Sequence, residues 1–189
     1  MKSLTILRFK EVLKVPKNVY LSFENSNLTV KGPLGEISIY LSHHDTKGFY
    51  YIRIDTDDNQ NQTLVILTKT PKAKFFLRAF SSLIEGYFQG LSRGFLLHLE
   101  IVGVGFRVHH HKNYLEFRVG FSHSIKCYIP QDIKIFTPKP TQLCLFGVDK
   151  HRLSQIASYI RHLKPPEPYK GKGIRFKNEL VKKKEGKKK

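Results

Sequence analysis

One short stretch near the C-terminus holds the densest set of groups that could do chemistry. In Pro166-Glu-Pro-Tyr-Lys-Gly-Lys-Gly-Ile-Arg-Phe176, Lys170, Lys172 and Arg175 supply positive charge, and Gly171 and Gly173 alternate with the lysines. An ammonium is a compact charge for phosphate, and a guanidinium offers phosphate a bidentate fork. Glycine puts no side chain between backbone and partner, so a Lys-Gly-Lys-Gly backbone can lie close to a phosphate track and donate N–H groups to it. The prolines upstream hold the chain extended and aim the segment. Tyr169 either stacks on a base or ribose or packs on its own domain; both readings stay open. The chemistry is anion binding, with no bond made or broken.

The surrounding charge strengthens that reading. From Lys164 to Lys189 there are 11 basic residues against 3 acidic ones, so this segment carries +8 of the chain's formal net charge of +18. Lys177, Lys182, Lys183 and Lys184 extend the run. Charge of one sign on that scale repels itself unless a polyanion neutralises it, either nucleic acid or an anionic membrane. A membrane-surface protein would want a basic amphipathic helix or lipidation beside the tail. Neither is evident. The longest apolar stretch, Gly94 to Phe106, is interrupted by His98 and Glu100 and is far short of the roughly 20 apolar residues a span needs. The N-terminus lacks the continuous apolar core and cleavage site of a secretory signal.

Catalytic readings find little support. A nuclease would need clustered acids to hold a divalent metal, whereas Glu100, Glu116 and Glu167 are isolated and read as solvated or ion-paired. Gly103-Val-Gly105 is followed by Val108 where a dinucleotide fingerprint needs its third glycine. It reads instead as a strand with a bulge or close backbone approach, placed so that Arg107 could reach RNA. His109-His110-His111 cannot share one ion on a strand, where neighbours point to opposite faces, and reads as a turn, like His43-His44. Cys127 and Cys144 have no CxxC spacing and read as buried reduced thiols. No Cys-His couple stands out, and no cofactor, metal or small-molecule substrate is expected.

With 40% hydrophobic residues in 189, the chain can bury a core of one domain or two small ones. One helix follows Thr70, a plausible N-cap, with Pro71 at its first position and Gly90 or Gly94 at its end. Its predicted buried face is Phe76, Phe80, Leu83 and Tyr87, with Leu77, Ile84 and Leu91 beside them. A second, capped by Asp149 and stopped by Pro165 and Pro166, buries Leu153, Ile156, Ala157, Ile160 and Leu163. Short alternating strands precede each helix: LTVKG, GEISIYL, FYYIRID and TLVIL in one half; FLLHLEIVGVGFRV, YLEFRVG, IKCYI, IKIFT and QLCLF in the other. The halves repeat in order as well as pattern, which points to an internal duplication. The expected fold is α+β: two similar domains, each an antiparallel β-sheet with one packed α-helix, plus a basic C-terminal tail. The expected boundaries are an N-terminal extension over 1–14, a first domain over 15–92, a second over 93–164 and the tail over 165–189.

The Pro-Glu-Pro-Tyr-Lys-Gly-Lys-Gly segment ahead of a basic tail resembles the C-terminal signature of large-subunit ribosomal protein L-six, bacterial and organellar type. Leu28 to Glu36 (LTVKGPLGE), Gly90 to Val108 (GLSRGFLLHLEIVGVGFRV), Val119 to Ile125 (VGFSHSI) and Gly147 to Gly173 resemble further motifs of that family, in the right order over most of the chain. Pro165, Ser124 and Ser154 depart from its pattern, as do the first residues and Ser42 to Gln62. The resemblance implies a non-enzymatic protein that binds large-subunit rRNA near the sarcin–ricin loop and the stalk base. Neighbouring large-subunit proteins would lie alongside and translational GTPases would pass close by. It carries rRNA contact onto the signature residues Tyr169 to Gly173 and Arg175, onto Arg161 and Lys164 at the end of the second helix, and onto the lysines of the tail. His123 either faces RNA at a turn or hydrogen-bonds locally. A Lys-over-Arg and Phe-rich composition is compatible with an AT-rich genome, so a ribosome of the mitochondrial matrix is expected.

Overall fold

A computed structural model describes residues 9–41, 50–57, 62–68 and 73–186. The chain forms two compact units, Met1–Gly94 and Phe95–Lys189. Thr70 and Pro71, the expected start of the first helix, lie outside the described residues, as do His43, His44 and Lys187 to Lys189.

In the first unit, strands β1 (Phe9–Lys14), β5 (Tyr50–Thr56) and β6 (Gln62–Thr68) form an antiparallel sheet in the order β1-β6-β5. Strands β2 (Tyr20–Glu24), β3 (Asn27–Gly32) and β4 (Gly35–Tyr40) form a meander. Helix α1 (Lys74–Arg93) packs on both. The boundaries expected from sequence place residues 1–14 outside the domain. The structure instead pairs Phe9 to Lys14 with Thr68 to Thr63, because Leu13 is an apolar residue that alternation turns into the core. The buried stripe of α1 also differs from the expected one. Leu77, Phe80, Ser81, Ile84, Phe88 and Leu91 face inward, whereas Phe76 is 67% exposed. The inward set keeps the three- and four-residue spacing of a single helix face, and Phe76 falls about one residue's turn off it. Gly94 ends the helix with positive φ, its N–H donating to Gly90 O at 2.8 Å.

The second unit repeats this plan. Strands β7 (Phe95–Val102), β11 (Lys134–Lys139) and β12 (Gln142–Gly147) take the positions of β1, β5 and β6. The meander of β8 (Arg107–His110), β9 (Tyr114–Arg118) and β10 (Ile125–Tyr128) takes that of β2 to β4. Helix α2 (Lys150–Leu163) takes that of α1. The duplication is therefore one of topology, strand for strand. The run read as one long strand, Phe95 to Val108, is broken by a turn in which Phe106 N–H donates to Gly103 O. His109 and His110 lie in β8, while His111 stacks on Tyr114 and pairs with Glu116 at 3.2 Å.

Helix α2 starts where Asp149 Oδ1 accepts from the N–H groups of His151 and Arg152, as its residue type suggests. It buries Leu153, Ala157 and Ile160 against Leu99, Leu143 and Leu145, with Ile156 and Leu163 partly covered. Each fully buried Leu or Ile here contributes about 1.5–3 kcal/mol. One addition has no counterpart among the described residues of the first unit. Strand β13 (Gly173–Phe176) pairs antiparallel with the free edge of β7, giving the order β11-β12-β7-β13. The segment expected to be a tail from residue 165 is thus partly built into the sheet, and Ile174 is fully buried.

Candidate nucleic-acid interface

The chain leaves α2 at Lys164 and makes a tight loop before entering β13. Ile174 N–H donates to Lys164 O at 2.7 Å, Glu167 N–H to Lys172 O at 2.9 Å and Gly171 N–H to Glu167 O at 3.1 Å. These bonds fix the Pro-Glu-Pro-Tyr-Lys-Gly-Lys-Gly loop on the end of the unit. Tyr169 is 60% exposed, Lys170 is exposed and Lys172 half-buried. The two glycines serve the fold itself. Gly171 has φ of +69°, and a Cβ on Gly173 would sit 2.6 Å from Pro165 O. Both are buried, which corrects the expectation that their backbone lies open to phosphate.

Beyond β13 the chain turns back. Lys177 N–H donates to His98 O at 3.0 Å and Glu179 N–H to Phe176 O at 3.0 Å. Lys184 N–H then donates to Pro168 O at 2.8 Å, inside the signature loop. A Cβ built on Gly171 would meet the Lys183 side chain at 3.7 Å. Exposed Lys182, Lys183 and Lys184 therefore return to the loop that carries Lys170 and Lys172, rather than trailing away from it. Lys164 joins from the helix end, its Nζ 4.7 Å from the centre of the Phe121 ring, a cation–π contact that ties in the 121–123 turn. His123 is exposed there, with Nδ1 3.5 Å from Ser122 Oγ.

Two of the three arginines expected at the site, Arg161 and Arg175, have protein partners. Arg175 donates through Nε at 3.2 Å and Nη2 at 2.9 Å to Glu100 Oε2, its neighbour across the β13–β7 ladder. Arg161 donates through Nε at 2.9 Å to Glu179 Oε2, and its Nη2 bonds Glu179 Oε1. Arg175 is expected from sequence to fork onto phosphate and Arg161 to contact rRNA; in the structure each guanidinium pairs with an acid of the same unit. The hydrogen bonds from Arg161 hold the Glu179 carboxyl below the usual carboxylate range, against a smaller opposing effect of burial. Arg107 is exposed on β8 opposite Arg118, and among the described residues no hydrogen bond or ion pair joins it to the loop. Glu100, expected to be solvated or ion-paired, is ion-paired, with Arg175. Glu179 is not singled out from sequence, where an acid set inside a strongly basic run is the available signal.

A model of the family described as Ribosomal protein L6 matches residues 102–177, the stretch that runs from the end of β7 to just past β13. The chain is 36% identical to Large ribosomal subunit protein uL6m of Prototheca wickerhamii over the full length of both chains. It is 38% identical to Large ribosomal subunit protein uL6 of Gluconacetobacter diazotrophicus, covering 95% of this chain and 97% of that one. The uL6 of Thermotoga maritima is 34% identical, with the same coverage. The chain belongs to the ribosomal protein L6 family. L6 is a structural, non-enzymatic protein, and the features that could suggest otherwise have local explanations. Among the described residues no group of three or more His, Cys, Asp or Glu side chains gathers to hold a metal, and no helix is long and apolar enough to cross a membrane. A Cys-His couple, His98 Nδ1 at 3.0 Å from Cys144 Sγ, comes from cross-strand register between β7 and β12, which spacing along the chain does not reveal. Cys127 is buried, and burial pushes its thiol up.

Proposed function

We propose that this L6-family protein, a structural constituent of the large ribosomal subunit, binds large-subunit rRNA through one end of its second unit. One observation carries the reading: Lys170, Lys172 and Lys182 to Lys184 converge on a folded loop, with Lys164 and the 121–123 turn beside it. Positive side chains fixed on a rigid support suit a folded RNA, whose phosphates are recognised by their arrangement in space. Tyr169 adds an exposed ring that can stack on an unpaired base. Arg161 and Arg175 act at one remove, by holding the loop and strand. His123, in the 121–123 turn, and Lys177, just past β13, lie at the edge of the same interface; Arg107, exposed on β8, is a further candidate contact.

The rRNA site lies near the sarcin–ricin loop and the stalk base, as the family resemblance implies. Neighbouring large-subunit proteins lie alongside, and translational GTPases pass close by. The ribosome is that of the mitochondrial matrix. Full-length similarity to uL6m and the excess of 24 Lys over 9 Arg support this, although bacterial uL6 chains match at similar identity.

Sedimentation of a lysate of purified mitochondria, with and without magnesium chelation, tests the assignment. Co-migration with the large subunit after the subunits separate is the expected result. Migration in light fractions under both conditions would overturn it. In binding to a large-subunit rRNA transcript, affinity should fall steeply with salt as neutralised phosphates release counterions.

A further inference from the structure

Glu179 is an acid in a segment otherwise dominated by lysine. Its carboxylate accepts from Arg161 Nε at 2.9 and 3.1 Å and from the Phe176 backbone N–H at 3.1 Å. The Arg161 and Glu179 side chains are only 27% and 22% exposed. Glu179 thus fastens the chain leaving β13 onto α2, and five residues later Lys184 N–H reaches Pro168 O. We propose that Glu179 is a positioning residue for RNA binding: clamped to Arg161, it folds residues 177–186 back so that Lys182 to Lys184 join Lys170 and Lys172 in one preformed phosphate-binding cluster. This rests on the rRNA-binding reading above.

Two effects of opposite sign meet at Glu179. As a negative charge in a basic interface it repels phosphate. As a clamp it removes the cost of ordering a lysine-rich segment when RNA binds. Its repulsion is muted because Arg161 neutralises it at hydrogen-bond distance. With three lysines placed by the clamp, positioning outweighs repulsion. Removing a negative charge from a protein of net charge +18 should therefore weaken its binding to a polyanion, the reverse of what charge alone dictates.

The full-length protein carrying Glu179→Ala is titrated with a folded large-subunit rRNA transcript, and amide hydrogen exchange is recorded on the free protein. The expected result is binding about fivefold weaker, equivalent to roughly 1 kcal/mol. The Lys184 amide should lose protection while the amides of α2 and β12 keep theirs. Glu179→Gln, which preserves shape and loses charge, should show the same changes in smaller measure. The swap Arg161→Glu with Glu179→Arg should restore both binding and Lys184 protection. Binding by Glu179→Ala as tight as, or tighter than, that of the native chain would overturn the proposal, and so would unchanged Lys184 exchange. If the native protein itself failed to bind the transcript, the rRNA reading would fall and the RNA role of Glu179 with it, while Lys184 exchange would still decide whether Glu179 makes the fold-back.

Discussion

The two units run through the same order of strands and one helix, yet their charge differs widely. Met1–Gly94 holds 13 Lys and Arg against 8 Asp and Glu, a net +5; Phe95–Lys189 holds 20 against 7, a net +13. The second also has a strand, β13, on the edge that corresponds to β1 in the first. Among the described residues β1 has β6 as its one partner, whereas β7 is covered on both sides. Duplication supplied one frame twice, and the added strand turned one copy into a mount for a basic loop. The proposed interface is made not by the shared α+β frame but by the segment C-terminal to α2.

The change expected to break this contrast most strongly is Ile174→Asp. It places a charge at a fully buried position on β13 and should cost about 3–5 kcal/mol while abolishing RNA binding, read by thermal unfolding and by titration. A comparably severe change to the first unit, Ile84→Asp on α1, should unfold that unit yet leave hydrogen-exchange protection of β13 in place. Next in size is neutralisation of Lys170, Lys172, Lys182, Lys183 and Lys184 to Ala. If each contacts one phosphate, the slope of log affinity against log salt should flatten by up to about 4, with stability unchanged. Neutralising Lys10, Lys14, Lys17, Lys31 and Arg53 in the first unit should change that slope far less. A smaller effect concerns pH. The Glu179 carboxyl is depressed by Arg161, with Phe176 N–H and Arg175 assisting, so its stabilisation is complete above the unfolded-state value and is lost as pH falls through the folded one. Protection of the Lys184 amide, compared with that of α2, should persist on acidification until below the ordinary carboxylate range. The smallest effect belongs to Arg78→Ala in the first unit, whose 3.4 Å pair with Glu11 is exposed on the arginine side and should cost under about 1 kcal/mol in thermal unfolding.

Much of this was legible in the residues. Alternating runs marked β3, β4 and β9, a short continuous apolar run marked β6, Asp149 marked the start of α2, and repetition of pattern marked the duplication. Proline, glycine and lysine marked the loop at 166–173. The features that stayed hidden depend on long-range pairing. Gly173-Ile-Arg-Phe176 is too short to announce itself as a strand, and only the free edge of β7 makes it one. Phe9 to Lys14 carries several charges and becomes a strand through β6. Arg161 and Arg175 look like phosphate ligands until the fold brings Glu179 and Glu100 beside them, 18 and 75 residues away in the chain.

The central claim is that rRNA meets the second unit at residues 164–186 and the 121–123 turn, not the first unit. Ultraviolet cross-linking of purified large subunits, followed by mass spectrometry of RNA-linked peptides from this chain, tests it most directly. Adducts should concentrate at Tyr169 to Lys172, Lys182 to Lys184 and Phe121 to His123. Adducts spread mainly over Met1–Gly94, with the signature loop unlabelled, would contradict the claim.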